Sequence, residues 1–238
     1  MKRNIITLLI TVFAMLQATA QTYDNLWKQA DIIAQKDQPK SEIGVMKKII
    51  SKATAAKDYG QLLAAEIRQA ILWREISPDS LTPNVKRMET EALKAKDPVL
   101  KAVRYAVLGK VYREVNGKKS EEFFKKALEQ PELLARNAST GYVPLTLKGV
   151  DGSSFKNDLL HLIGFEADSK EAYHLMYTYY NKVGNRGAAC LCAYKLIEKY
   201  RQDDVREVRK SKYLNTIDSL IHVYQDIPEA GELAVEHF

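Results

Sequence analysis

The sequence predicts an all-α protein built from α-α hairpins, as a tetratricopeptide-like solenoid or an irregular helical array. Three observations lead there. Apolar residues recur at spacings of three and four, as in Leu26, Ala30 and Ile33, or Leu62, Ala65, Ile67 and Ile71, which lines one face of a helix. Prolines stand where helical patterns begin: Pro39, Pro83, Pro98, Pro131 and Pro228 suit the first helical position, where the missing N–H has no partner to lose. Strand-like alternation is essentially missing from the chain. The composition agrees, with 238 residues that are 46% hydrophobic and 28% charged and include 11 Gly and 7 Pro. Collagen-like and low-complexity chains are thereby excluded.

The first twenty residues read as an export signal. Lys2 and Arg3 give a short basic start, residues 5–16 carry no charge, and Ala18-Thr19-Ala20 fits the small-x-small cleavage pattern. Cleavage is expected near Ala20, placing the mature chain in the periplasm or outside the cell. The apolar run of about 12 residues falls short of the roughly 20 that a spanning helix takes, so no stable membrane span is expected. Helices are then expected near 22–36, 39–57, 59–76, 83–96, 98–115, 120–136, 156–167, 169–183, 186–201 and 210–224, with a short last one from Pro228. Thr82 and Asp97, each before a proline, are expected N-caps. Residues 138–155 break the rhythm with glycines, a proline and hydroxyls. They are expected to form a loop with a short extended piece at Val143–Leu147, separating an N-terminal half, 21–137, from a C-terminal half, 156–238.

A repeat signature lies within the helices. Tyr105, Leu108-Gly109 and Tyr112, followed by Gly117, Phe124, Ala127 and Pro131, match the tetratricopeptide pattern with one residue fewer than the usual spacing. A looser copy runs through Tyr173, Met176, Tyr177 and Tyr180, then Gly184, Ala189 and Ala193. Gly109 and Ala127 are expected to let paired helices approach closely, with Tyr112 and Phe124 filling the space beside them.

Chemistry is sparse. Asp158-x-x-His161 and Glu171-x-x-His174 place an acid and a histidine on one helix face, as in carboxylate-bridged di-metal bundles. A carboxylate in the first turn of a helix accounts for the same spacing by satisfying free N–H groups. Cys190 and Cys192 point about 200° apart on a helix, so they cannot bridge and read as small packing residues. No Gly-x-Ser-x-Gly, Gly-x4-Gly-Lys, His-Glu-x-x-His or Gly-x-Gly-x-x-Gly occurs. No enzyme activity, cofactor or metal is therefore expected. The net charge of +6 counts two cations of the removed segment, and with no clustered basic face nucleic acid is not an expected partner. Tyrosine is abundant, 13 against 6 Phe, and offers an apolar body with a polar tip suited either to inter-helix packing or to a partner. Tyr142, Phe155, Tyr173, Tyr177 and Tyr180 are the candidate interaction surface.

Certain segments resemble a known family. They are Tyr23-Asp-Asn-Leu26-Trp27-Lys-Gln, Lys36-Asp37-Gln38-Pro39-Lys40, Phe123-Phe124-Lys-Lys-Ala127-Leu128 and Pro131-Glu-Leu-Leu134-Ala135. Phe155-Lys-Asn157-Asp158-Leu-Leu-His161-Leu-Ile-Gly164-Phe165-Glu166 and Gly184-Asn185-Arg186 complete the set. In order and spacing these resemble the N-terminal helical region of the alpha-2-macroglobulin-like exported proteins of Bacteroidetes-type bacteria. The resemblance implies a protease-trapping context in which β-sandwich domains follow the helical region and a Cys-x-Glu-Gln thioester captures the protease. That tetrapeptide is missing here, so no thioester role falls on Cys190 or Cys192. The chain is then expected to be the leading helical module alone, truncated or split from its larger partner, and to bind macroglobulin-type domains or other exported proteins. A free-standing periplasmic repeat protein that binds a peptide or protein, and a di-metal helical enzyme, are the other readings.

Overall fold

The computed structural model describes residues 22–231 except 78, 80, 114–115, 147–148, 150 and 203–206, without side chains at 81, 202 and 207–214. The expected export signal lies outside these residues, as does the part of the expected last helix beyond 231; Pro228, its expected start, stands in a turn. Eleven α-helices follow one another among the described residues. They are α1 (Tyr23–Ala34), α2 (Pro39–Ala56), α3 (Tyr59–Ile76), α4 (Leu81–Lys94), α5 (Pro98–Tyr112), α6 (Gly117–Ala127), α7 (Pro131–Ala135), α8 (Leu159–Ala167), α9 (Lys170–Lys182), α10 (Arg186–Gln202) and α11 (Glu207–Tyr224). A 3-10 turn, Ser139–Tyr142, lies between α7 and α8. No strand occurs among the described residues, where a lone antiparallel bridge joins Ala138 and Asp158. The protein is all-α, as its periodicity predicts.

Local signals explain most helix starts. Thr22, Asp58, Asp97, Asn116, Asp158 and Ser169 each accept a backbone N–H from the first turn of the helix they precede, satisfying donors that have no intrahelical partner. Pro39, Pro98 and Pro131 open α2, α5 and α7. Other boundaries differ from expectation for physical reasons. The expected helix 120–136 is two helices, because Pro131 cannot donate and holds the preceding Gln130 out of the helical region, at φ −124° and ψ 71°. Helix α4 starts at Leu81, so Thr82 is helical rather than a cap and Pro83 sits inside the first turn. Helix α8 starts three residues later than expected. Lys156 and Asn157 both hold positive φ, 56° and 53°, and no helix runs through two such residues.

The chain divides into two compact units, Met1–Asn84 and Val85–Phe238. In the first, α2 packs along both α1 and α3. Leu26, Ala30, Ile43, Val45, Met46, Ile49, Ala65 and Leu72 form its core. Trp27 donates its indole N–H to Gln61 at 2.6 Å, and the buried carboxylate of Glu42 is met by Arg68, which also reaches Asp31 at 3.2 Å. The buried charge is thus paired, as burial requires.

In the second unit α5 pairs with α6, and α9 with α10, as hairpins. Helix α8 lies between them and touches α5, α6, α7 and α9. The division expected at 138–155 is not where the units part. That segment belongs to the second unit, where it carries the fully buried Phe155, and no extended strand forms at Val143–Leu147 among its described residues.

Small residues make the helix seams. A Cβ on Gly109 would stand 2.7–2.9 Å from ring carbons of Phe124, and the Gly109 carbonyl accepts the Ser120 hydroxyl at 2.7 Å. The close approach read from the repeat signature is therefore real, although Tyr112 stacks on Phe123, with centroids 5.5 Å apart, rather than sharing a space with Phe124. Gly164 of α8 is pressed against Met176 of α9 in the same way. Gly109→Leu overpacks this contact and is expected to cost about 1–3 kcal/mol in chemical denaturation; an unchanged midpoint would contradict the seam.

Candidate functional site

The densest constellation of polar and aromatic groups is at the centre of the second unit, where the 138–158 segment meets α8 and α9. Its formation follows from Asp158, which caps α8 and directly precedes the apolar run Leu159–Phe165. Burying that run takes the cap inside with it. Asp158 is only 5% exposed. Its Oδ1 accepts the His161 N–H at 2.8 Å, and the Tyr180 hydroxyl donates to both oxygens at 2.9 Å. Burial pushes its carboxyl up to about 6, against the opposing pull of the His161 N–H and the Tyr180 hydroxyl.

Around this carboxylate the aromatic rings interlock. Phe155 stacks on His161 with centroids 4.0 Å apart and planes 2° from parallel. Phe165 and Tyr180 meet Phe155 edge-on at 5.5 and 5.2 Å, the offset and perpendicular arrangements that ring quadrupoles favour. His161 is fully buried, and the chain at Gly149 passes so close that a Cβ there would stand 2.6 Å from the imidazole Cε1. The segment itself is stitched together by Thr146 Oγ1 donating to Ser139 O at 2.8 Å and Asn157 N–H donating to Gly152 O at 2.7 Å. Asn185 holds it from outside by donating to Ser154 O at 2.9 Å, and the Ser154 hydroxyl donates to Glu229 at 3.0 Å.

This arrangement corrects the expected interaction surface. Tyr142, Phe155, Tyr173 and Tyr180 are all buried. Tyr177 is half-buried and hydrogen-bonded with Tyr224. The reason is that the interior supplies acceptors for the phenol tips: Tyr180 donates to Asp158, and Tyr173 donates to Asp168 at 2.8 Å. Burial together with these carboxylates pushes both phenols well above the usual tyrosine range. A tyrosine whose hydroxyl is satisfied inside can be buried whole.

The residues behind the di-metal reading are likewise placed. Asp158 is engaged as a cap, His161 is stacked in the core, and Glu171 and His174 lie on the exposed face of α9. Among the described residues no three His, Cys, Asp or Glu side chains gather to hold a metal. Cys190 and Cys192 are free thiols buried in α10. Burial, aided by Glu229, pushes Cys190 up to about 12, and burial raises Cys192 as well. Neutral thiols are poor nucleophiles. Alkylation of the native protein is expected to run roughly a hundredfold slower than that of the urea-unfolded chain, and similar rates would show the thiols to be accessible.

Sequence reading missed the Asp158–Tyr180 contact, although a cap residue immediately before an apolar run was its visible signal. The Ser154–Glu229 contact joins residues 75 apart, and no local pattern announces it. No helix among the described residues is long and apolar enough to cross a membrane. The class is thus defined by fold: an all-α array of helical hairpins, interrupted in its second unit by a buried aromatic centre. No family model, curated protein or solved structure matches the chain.

Proposed function

We propose that the chain is a non-catalytic protein-interaction module. In this reading it is exported and docks onto macroglobulin-type β-sandwich domains of alpha-2-macroglobulin-like proteins. The observation that supports it is the run of helical hairpins seamed by Gly109 against Phe124 and Gly164 against Met176. Helical hairpins packed side by side present surfaces for other proteins. The ordered segments from Tyr23 to Arg186 supply the link to the macroglobulin-like family.

With the tyrosines buried, the contact falls on the 138–155 segment, where Val143 is 54% exposed and Pro144 is exposed beside it. An exposed apolar pair on a segment tied down by hydrogen bonds loses little freedom on binding. Affinity capture from the exported fraction, followed by remixing of the purified pair, tests this. A saturable complex that Val143→Glu weakens at least tenfold, about 1.4 kcal/mol, with an unchanged denaturation midpoint, supports the reading. Equal affinity of the Glu variant removes Val143 from the interface, and turnover of the captured molecule without a stable complex contradicts a non-catalytic role.

A further inference from the structure

Of the chain's asparagines only Asn116 is followed by glycine. The pair stands at the start of α6, and both residues are exposed. Asn116 caps the helix: its side-chain Oδ1 accepts the Lys119 N–H at 3.1 Å, and its backbone oxygen accepts the Ser120 N–H at 3.0 Å. A Cβ on Gly117 would meet nothing within 4 Å, so the space beside that residue is open. Asp151-Gly152, the one aspartate followed by glycine, makes the contrast. There the Gly152 N–H donates to Gly149 O at 3.2 Å, and a Cβ would stand 2.6 Å from Asn157 Oδ1. That pair is packed and its nitrogen is engaged.

We propose that Asn116-Gly117 is a site of spontaneous deamidation, whose two products act in opposite senses on the α5–α6 hairpin. Fraying of the exposed first turn releases the cap and lets the deprotonated Gly117 nitrogen attack Asn116 Cγ. Glycine reaches the ring geometry without a Cβ clash. A Cγ–N bond closes a five-membered imide, the Cγ–Nδ2 bond breaks, and the side-chain nitrogen leaves as ammonia. Water then opens the imide. Addition at Cγ breaks the new bond and gives aspartate; addition at the backbone carbonyl breaks the old peptide bond and gives isoaspartate, with the chain running through Cβ and Cγ. The sum is one water consumed and one ammonia released, with no redox change. Aspartate keeps both acceptors of the cap and sets a carboxylate against the positive end of α6. Isoaspartate turns the former backbone carbonyl into a carboxylate off the chain. Both cap bonds then lose their geometry, close to the seam that Ser120 and Phe124 make with Gly109.

Incubation of the whole folded chain in mild alkali, followed by peptide mapping with mass spectrometry, tests this. The Asn116 peptide is expected to exchange NH2 for OH at least about tenfold faster than any other asparagine peptide. Its rate should lie within about tenfold of that in the guanidinium-unfolded chain, because fraying of a helix end costs little. Aspartyl and isoaspartyl forms should both appear, and the first-turn amides of α6 should exchange faster in the isoaspartyl form than in the unmodified chain. Gly117→Ala fits the open space and is expected to slow the reaction about tenfold; Asn116→Ser keeps a cap and abolishes it. An Asn116 that stays intact in the folded chain while the unfolded chain reacts, or a Gly117→Ala rate equal to that of the wild type, would overturn the proposal.

Discussion

Phe155→Ala is expected to destabilise the second unit by about 3–5 kcal/mol. Phe155 is completely buried and meets three rings at once: His161 face to face at 4.0 Å, and Phe165 and Tyr180 edge-on at 5.5 and 5.2 Å. Truncation removes the transfer free energy of the ring, leaves a cavity whose walls cannot all collapse, and forfeits the ring–ring attractions. Such a loss is a large part of the stability of a typical domain. Equilibrium urea denaturation followed by far-UV circular dichroism reads it directly. A loss below about 1 kcal/mol would mean that the ring is not enclosed. The outcome also separates a core role from the surface role that composition alone permits, since a surface phenylalanine would alter binding and leave the midpoint in place.

The second large effect depends on pH. Asp158 titrates at about 6 in the folded protein, against an ordinary 3.8. Between those values the folded state binds more protons than the unfolded state, so stability falls as pH rises. Below the lower value Asp158 imposes no penalty; above the upper one the whole penalty is present, about 3 kcal/mol. Other carboxylates titrate in the same range, and Asp158→Asn serves to subtract them. The stability of the wild type minus that of the variant is expected to fall by about 3 kcal/mol between pH 3.5 and pH 7, measured by urea denaturation at each pH. A difference that stays constant across this range would show that Asp158 is solvated.

The hairpins were legible because their signals are local. Apolar spacing, prolines at first helical positions and capping side chains act within a turn or two, and Gly109 sits 15 residues before Phe124 in a recognisable repeat spacing. The centre of the second unit was less legible. Whether Tyr180 faces a partner or the core depends on an acceptor 22 residues away, and tyrosine is suited to both. The late start of α8 depends on two non-glycine residues, Lys156 and Asn157, at positive φ, a conformation for which Lys offers no sequence cue. The parting of the units between Asn84 and Val85 falls inside helix α4, directly after the proline-, serine- and aspartate-bearing stretch 77–84, whose linker-type composition was read only as the start of a helix at Pro83.

Binding of macroglobulin-type domains by these helical hairpins is the property on which the proposed role depends. Isothermal titration of the purified chain into isolated β-sandwich domains of an alpha-2-macroglobulin-like protein measures that. The expected result is saturable one-to-one binding with Kd of about 1 μM or tighter, near −8 kcal/mol, with a negative heat-capacity change from the apolar surface buried. Absence of heat and of a complex, with every domain tested up to about 1 mM, would contradict it.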